Sequence, residues 1–489
     1  MTEAPEYPVE ERLHGDLPLT DADAAAASID ADATLLTSGF GSVGYPKAIP
    51  LALAEDNRDL SLTLVSSGKV GEEIDVDLMA ADAVDRRMSY QSSEVARELT
   101  ARREVAFSDR NASSLGDDVQ YGGVVDPDVA VVEAVAVGEG WFVPSTSLGQ
   151  VPAFVDAADR LYVELNRHQP LALQSLHDVY RPEAPPNRGP IPLAGPGDRI
   201  GDRHVSFDPE KLAGVVETDS ADATYTFRDP TDDDLAIAAN LRNFLRGEMA
   251  RSSVFDEALT LQFGVGSLGN ALMGELADLD VGDRDLIYFG ELVQDGLLDL
   301  LDDGRLTAAS ATSLALTDEG QQRLFEHAER YAEDVVLRPA DVSNHPGLID
   351  RFGVVAVNSA VEVDIYGNVN STHVAGERML NGVGGSADFN RNALVTVCAL
   401  PSTLNGGEIS RIVPMSFHVD HTEHDVDVFV TEQGVADVRG RSPVERAELI
   451  VENCAHPSFA PELRAYLDDV CEREHHIPHD VERAAEWFE

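Results

Sequence analysis

Apolar residues in this chain gather into short runs separated by helical or turn segments. Leu62–Val65, Val105–Phe107, Val129–Ala136 and Leu161–Leu165 are runs of strand length, and their alternation with helical segments predicts a mostly parallel sheet. Leu35–Glu55 reads as an apolar strand, a glycine turn and a helix pattern, and Leu259–Leu279 repeats that order. Their turns, Gly39–Gly44 and Gly264–Gly269, share the form G-x-G-S-x-G. The repetition predicts two similar open-sheet α/β domains, which at 489 residues is also what one chain too long for a single core requires. Between them, Arg181–Arg203 is so rich in proline that regular helix and central strand are excluded, leaving an extended connector. Asp229–Asp234 then caps an amphipathic helix over Leu235–Ala250. The expected domains are 1–225 and 226–489.

Two features of the second half carry candidate chemistry. Strand Leu286–Phe289 ends at Gly290 and Glu291, with Asp295-Gly296 as a following turn, and strand ends of α/β folds are where reacting groups are presented. Over Val361–Arg391 an alternating apolar run ends in Asn381-Gly382-Val383-Gly384-Gly385-Ser386, the pattern of a buried strand delivering a loop whose backbone N–H groups face an oxyanion or phosphate.

Charge narrows the setting. The formal charge is -52, and lysine is confined to Lys47, Lys69 and Lys211. Such a surface repels itself in dilute buffer and is screened by high salt, an adaptation to molar salt of the kind a halophilic archaeal cytosol demands. With 43% apolar residues the chain is folded rather than an acidic disordered polymer. Nucleic acid and anionic membrane are excluded as partners by the lack of clustered basic residues. No stretch approaches the roughly 18 apolar residues of a membrane span, and the acidic N-terminus is not a signal peptide. Cys398, Cys454 and Cys471 are few, odd in number and without CxxC spacing, which fits a reducing cytosol.

Several rival sites are weaker. Neither G-x-G-S-x-G turn is followed by an acidic residue convincingly placed about twenty positions on, as a dinucleotide fingerprint requires. No G-x-S-x-G elbow occurs in the glycine turns, and Cys398 ends an apolar run that reads as core. His418, His421 and His424 have metal-ligand spacing only on a helix; flanking runs that read as strands make FHVDHTEHDV a loop instead.

Taken together, SGFGSVGYPKAIPLALAE, ADAVDRRMSYQS, VPSTSLGQVPAF, PPNRGPIPL, LQFGVGSLGNA, ELVQDGLLDLL, LRPADVSNHPGLIDRFGVVAVNS, the glycine-rich block and VDHTEHDVDVFVTEQGVADVRGRS resemble, in one order over nearly the whole length, the acetyl-CoA hydrolase/transferase family. That family is a branch of the class I CoA-transferases that includes succinyl-CoA:acetate CoA-transferases. The resemblance implies CoA transfer between a short acyl-CoA and a small carboxylic acid, with the active site between the two domains. Glu291 aligns with the nucleophilic glutamate, which would place it in the C-terminal domain and make coenzyme A a substrate and transient covalent adduct, with no permanently bound cofactor and no metal.

The resemblance also puts Gly264, Val265, Gly266, Ser267, Leu268, Asn344, Asn381 and Gly385 around CoA, the reacting carbonyls and the oxyanions. It matches Glu432 to a second active-site glutamate that orients an amide or the acceptor. The residue-level alternative for Glu432 is a buried acid held by Arg439. Arg228, Arg378 and Arg391 are candidates for the substrate carboxylate. Two positions depart from the family: Gly290 replaces a usual threonine, and Asn405 stands where relatives often carry a lysine for the CoA phosphates. The family further implies a cytoplasmic homodimer. Acyl-CoA hydrolysis and non-catalytic CoA binding remain open alternatives.

Overall fold

The computed structural model describes residues 5–487, apart from the side chain of Ser267. It divides into two compact units: Met1–Thr226 with Tyr288–Leu301 and Thr307–Leu348, and Phe227–Ile287 with Asp302–Leu306 and Ile349–Glu489. The chain first passes from one unit to the other after Thr226. The segment carrying Glu291, however, is compact with the first unit and not with the rest of the C-terminal half.

The first unit is built on a parallel sheet of β1 (Thr34–Thr37), β2 (Leu62–Ser66), β3 (Val84–Met88), β4 (Ala106–Ser108), β5 (Val129–Gly138), β6 (Arg160–Asn166) and β7 (Leu212–Thr218). Their spatial order is β7-β6-β5-β1-β2-β3-β4. All ten residues of β5 are buried, which is why this strand reads as an apolar run interrupted only by Glu133 and not as an alternation. Chain order runs one way from β1 to β4 and the other way from β5 to β7, so the sheet has its switch point between β1 and β5, where α/β folds open a crevice at the strand carboxyl ends. The turn Gly39–Gly44 leaves β1 at that point. One face of the sheet closes over a core that includes Leu35, Ile49, Leu62, Leu64, Val129 and Val131.

The connector lacks helix and strand over 181–203. It is pinned from below by Arg338, which is fully buried. Arg338 pairs with Asp178, donates to Ser310 Oγ (2.9 Å) and the Pro196 carbonyl (2.9 Å), and also reaches the Asp198 carbonyl.

In the second unit, β8 (Ala258–Phe263), β9 (Val355–Asn358), β10 (Val395–Ala399) and β11 (Val428–Thr431) are parallel neighbours in that order, and β12 (Gly434–Asp437) returns antiparallel to β11. The helix Asp232–Arg251 opens with a capping box in which Thr231 and Asp234 exchange hydrogen bonds, as the acidic cap in the sequence predicts. Cys398 and Cys454 are buried in the core of this unit.

The run Val361–Arg391 does not form the one strand its alternation suggests. It breaks into Glu362–Asp364, Val369–Asn370, a hairpin of His373–Val374 with Arg378–Met379, and the helix Ser386–Asn392. The break has a local cause. The Asp364 carboxylate accepts the backbone N–H groups of Tyr366 (3.0 Å) and Asn368 (2.9 Å) and turns the chain there. Among the described residues no helix is long and apolar enough to cross a membrane.

Candidate active site

Glu291 sits in the short break between strand Asp285–Phe289 and strand Leu292–Gln294. Its main chain is fixed on both sides. Gly290 N–H donates to the Ser310 carbonyl (3.0 Å), and the Glu291 carbonyl accepts from Thr312 N–H (3.0 Å) and Ser313 N–H (3.1 Å). The half-buried side chain is held at one oxygen, Oε1, by Asn344 Nδ2 at 2.9 Å. Asn344 is fully buried at the end of the helix Ala340–Ser343. Ser343 Oγ donates to Asn344 Oδ1 at 2.8 Å, which orients the amide with its N–H₂ toward the glutamate. Strand ends of α/β folds are where such a carboxylate can be presented to a ligand.

The first glycine turn frames the same place. Ser313 Oγ donates to the Phe40 carbonyl at 2.6 Å, and Phe40, Leu292, Ala315 and Tyr225 pack into one apolar cluster. A Cβ at Gly41 would lie 2.7 Å from Leu292 Cδ2 and 3.3 Å from the Tyr225 hydroxyl, at a φ of +69°, so only glycine lets the turn approach the residue after Glu291 this closely. Tyr90, on the loop leaving β3, has its phenol pushed up by burial and by the neighbouring Tyr225, Asp109 and Glu291. Burial pushes the Tyr225 phenol up to about 12. The sequence pointed to the second glycine turn and passed over the first. Phe40, Tyr90 and Tyr225 lie within or beside quoted motifs, but Thr312 and Ser313 belong to a small-residue run with no distinguishing pattern.

The carboxyl ends of β8 to β11 in the second unit carry most of the remaining candidates. After β8, Gly264 N–H donates to the Val357 carbonyl (3.1 Å), and Val265 is 42% exposed. Gly266, at φ +141°, precedes the helix Ser267–Ala277, and a Cβ there would meet nothing within 4 Å. Leu268 lies in the first turn of that helix; the side chain of Ser267 lies outside the described residues. Next along the edge, Asn358 bonds Asn390 (2.9 Å) of the helix that Gly385 introduces. Asn381 spends its amide on its own loop, donating to the carbonyls of Gly382 (2.8 Å) and Ser371 (3.3 Å). Asn405 is exposed, at φ +51°, at the tip of the hairpin Thr403–Leu404 with Ile409–Ser410.

After β11, Glu432 accepts Ser402 N–H (2.8 Å), the Ser402 hydroxyl and Gln433 Nε2 (2.9 Å). Arg439 pairs with Glu248 (2.9 Å) and Asp437 (2.6 Å), so the partner of Glu432 is Ser402 and not Arg439. Arg228 is paired with Asp234 at 2.5 Å, Arg391 lies 3.5 Å from Asp425, and Arg378 is exposed in its hairpin.

Comparison with known proteins adds independent findings. Residues 18–217 match the acetyl-CoA hydrolase/transferase N-terminal domain, and residues 320–467 match its C-terminal domain. The chain is 39% identical over 472 residues to succinyl-CoA:acetate CoA-transferase of Clostridium kluyveri, covering 95% of this chain and 87% of that one. This chain belongs to the acetyl-CoA hydrolase/transferase family.

Other members of this family are similarly close. Propanoyl-CoA:succinate CoA transferase of Escherichia coli is 38% identical, with 94% of each chain covered, and acetyl-CoA hydrolase of Schizosaccharomyces pombe is 38% identical, with 88% of this chain and 85% of that one covered. Two solved structures share the fold. RipA from Yersinia pestis has a TM-score of 0.72 at 22% identity, covering 92% of this chain and 96% of that one. 4-Hydroxybutyrate CoA-transferase of Porphyromonas gingivalis has 0.63 at 20%, covering 92% and 97%. The protein is therefore an enzyme of a family that transfers CoA or hydrolyses acyl-CoA.

In this family member the histidine-rich loop divides among separate partners. His421 is buried, with Nε2 3.1 Å from Ser386 Oγ. His418 stacks on His373 at 4.0 Å and lies 3.1 Å from Asp420, while His424 is exposed beside Glu423. Among the described residues no group of three or more His, Cys, Asp or Glu side chains is placed to hold a metal ion. Dialysis against a chelator is expected to leave turnover unchanged, and a loss restored by one divalent metal would contradict the divided loop.

Glu432 makes a prediction with a definite sign. Burial alone would raise its carboxyl, but the hydrogen bonds from Ser402 and Gln433 outweigh burial and hold it below the ordinary carboxylate range. A carboxyl depressed by folding stabilises the fold above its unfolded pKa, and that stability is lost as pH falls through the folded value. Ser402→Ala is therefore expected to lower the unfolding midpoint by about 2–4 °C near pH 7. The gap from the parent should close as pH falls below about 4. A gap of constant size across that range would show that the loss is not tied to the Glu432 charge.

Proposed function

We propose that the enzyme moves CoA between a short acyl-CoA (acetyl-, propionyl- or succinyl-CoA) and a small carboxylic acid, with Glu291 as the covalent nucleophile. The observation that carries this reading is the Glu291–Asn344 pair. A carboxylate at a strand end, restrained at one oxygen by a buried amide, suits attack on a thioester without a general base.

The chemistry runs in balanced steps. A Glu291 oxygen bonds to the thioester carbonyl carbon, the C–S bond breaks, and CoA leaves as thiolate, giving a mixed anhydride. The thiolate attacks the glutamyl carbonyl, and the free carboxylate of the acyl group departs, leaving a glutamyl-CoA thioester. The acceptor carboxylate then attacks that thioester, releasing the thiolate. Thiolate attack on the acyl carbonyl of the new anhydride forms the product thioester and returns Glu291. Each tetrahedral intermediate carries an oxyanion and needs a preorganised donor. We assign Asn344 Nδ2 to the one formed at the Glu291 carbonyl. The turn Gly264–Leu268 and Gly385 are assigned to CoA and to oxyanion stabilisation, with Asn405 assigned to the CoA phosphates and Glu432 to orienting the acceptor.

The near-equal identity to acetyl-CoA hydrolases supports a second reading, in which water intercepts the acyl-enzyme or glutamyl-CoA species. One experiment separates the two. The enzyme is incubated with acetyl-CoA or succinyl-CoA in molar KCl, treated with borohydride, and its peptides are weighed. A CoA adduct or its reduced product on the Glu291 peptide, discharged by added carboxylate to new acyl-CoA, is expected. Discharge by water at the same rate with and without acceptor identifies a hydrolase. CoA release with no adduct on that peptide overturns the nucleophile assignment.

A further inference from the structure

Beneath the turn Gly39–Tyr45 the first unit buries three charges together. Lys47, one of the three lysines in the chain, is 3% exposed, and its Nζ lies 2.7 Å from Glu133 Oε2 and 2.8 Å from Asp222 Oδ1. Each carboxylate has further donors. Glu133 accepts from Ser145 Oγ (2.6 Å) and Asn166 Nδ2 (2.9 Å). Asp222 accepts from Thr146 Oγ1 (2.7 Å), Gln169 Nε2 (3.0 Å) and Gly44 N–H (3.1 Å). Lys47 Nζ also donates to the Tyr45 carbonyl at 3.0 Å. Two carboxyl groups share one ammonium away from solvent, and burial pushes the Glu133 carboxyl up against the pull of Lys47. A fold that needed only stability would fill this space better with apolar side chains.

The network grips a turn rich in positive φ. Gly39, Gly41 and Gly44 take that conformation freely, whereas Ser42 at φ 64° is held in the left-handed region that a side chain disfavours. Asp222 holds the amide of Gly44, and Ser38 Oγ holds its carbonyl at 2.8 Å. The opposite side of the turn meets the nucleophile's supports. The Phe40 carbonyl takes the Ser313 hydroxyl, Ser313 N–H holds the Glu291 carbonyl, and Gly41 abuts Leu292. Thr146 forms a second link, since its hydroxyl is on Asp222 while its carbonyl accepts Leu314 N–H (3.3 Å).

We infer that Lys47, Glu133 and Asp222 are positioning residues for the reaction: they fix the turn Gly39–Gly44 and, through Ser313, Leu292 and Leu314, the placement of Glu291. This rests on Glu291 being the nucleophile. None of the three touches the reacting atoms, so their effect falls on the chemical step and not on acyl-CoA binding.

The test uses the full chain in molar KCl with two variants, Asp222→Asn, which keeps the side-chain size and removes the charge, and Thr146→Val, which removes a single donor and carries the test where Asp222→Asn does not fold. Formation of the Glu291 adduct from acetyl-CoA is timed in a single turnover, and KM for acetyl-CoA is measured alongside. Misplacement of a reacting group on the ångström scale costs up to about 100-fold in rate. A fall of about 10- to 100-fold is therefore expected for Asp222→Asn and a several-fold fall for Thr146→Val, each with KM held within about twofold. Variants that match the parent's adduct rate per folded molecule, even with a lowered unfolding midpoint, overturn the positioning role alone. A parent that forms no Glu291 adduct overturns the nucleophile assignment and the positioning role with it.

Discussion

Glu291→Gln is expected to lower turnover by about four orders of magnitude or more, with the unfolding midpoint within a few degrees of the parent's. The substitution is close to isosteric. Its amide oxygen can still accept Asn344 Nδ2, and the main-chain bonds from Gly290 to Ser310 and from Thr312 and Ser313 to residue 291 do not involve the side chain. What is lost is the anionic oxygen, and an amide oxygen does not displace a thiolate. Glu291→Asp keeps the charge and withdraws it by one methylene, for which a fall of about 100-fold is expected. The measurement is steady-state CoA transfer in molar KCl, with thermal unfolding followed on the same samples. Retention of a tenth or more of parental turnover by Glu291→Gln would remove this residue from the chemistry.

The largest effect on stability is expected at Arg338. Arg338→Met should cost about 3–5 kcal/mol, because it strands the buried Asp178 carboxylate without its counter-ion. It also frees the Pro196 and Asp198 carbonyls that anchor the proline-rich connector. Asp178 would keep the amides of Ile200 (2.8 Å) and Gly201 (2.7 Å), so its charge would be solvated in part and not abandoned. For a protein of this size the loss reads as a fall of about 3–5 °C in the unfolding midpoint. The pair can be separated from the packing by adding Asp178→Asn. The double variant should recover a substantial part of the deficit, because the uncompensated charge is gone. If both forms are equally unstable, the cost lies in the connector carbonyls and not in the ion pair.

Local signals in the sequence foretold the local parts of this molecule. Most strand runs of the first sheet declared themselves because strands buried on both faces are nearly continuously apolar, and Thr231 with Asp234 marked a helix start through a bond spanning three residues. Glu291 ends a strand beside a glycine, a placement that drew notice, but family resemblance was what set it apart from the chain's many other acids. Its partner Asn344 lies 53 positions away, and only family resemblance, not periodicity, could bring it into view. The same distance effect hid the first glycine turn's part in the site, since Phe40 and Ser313 are separated by 273 positions. Alternation misled at Val361–Arg391, where counting apolar residues missed that Asp364 closes a turn with its own side chain. Asn381 looked like a ligand-facing amide within the glycine-rich loop, yet its hydrogens are spent on closing that loop.

The discontinuous make-up of the first unit bears on how the protein is made. A nascent chain emerging from the ribosome exposes β1 to β7 well before it delivers Thr312, whose carbonyl and hydroxyl receive the amides of Leu148 (2.9 Å) and Gly149 (3.0 Å). The switch point of the sheet therefore waits, through the whole stretch between Thr218 and Thr312 that includes β8, for the segment that completes it. Cutting the gene after codon 226 should yield an N-terminal piece that binds chaperones and does not assemble alone, whereas a piece ending after 348 would hold every residue of the unit in which the glutamate resides.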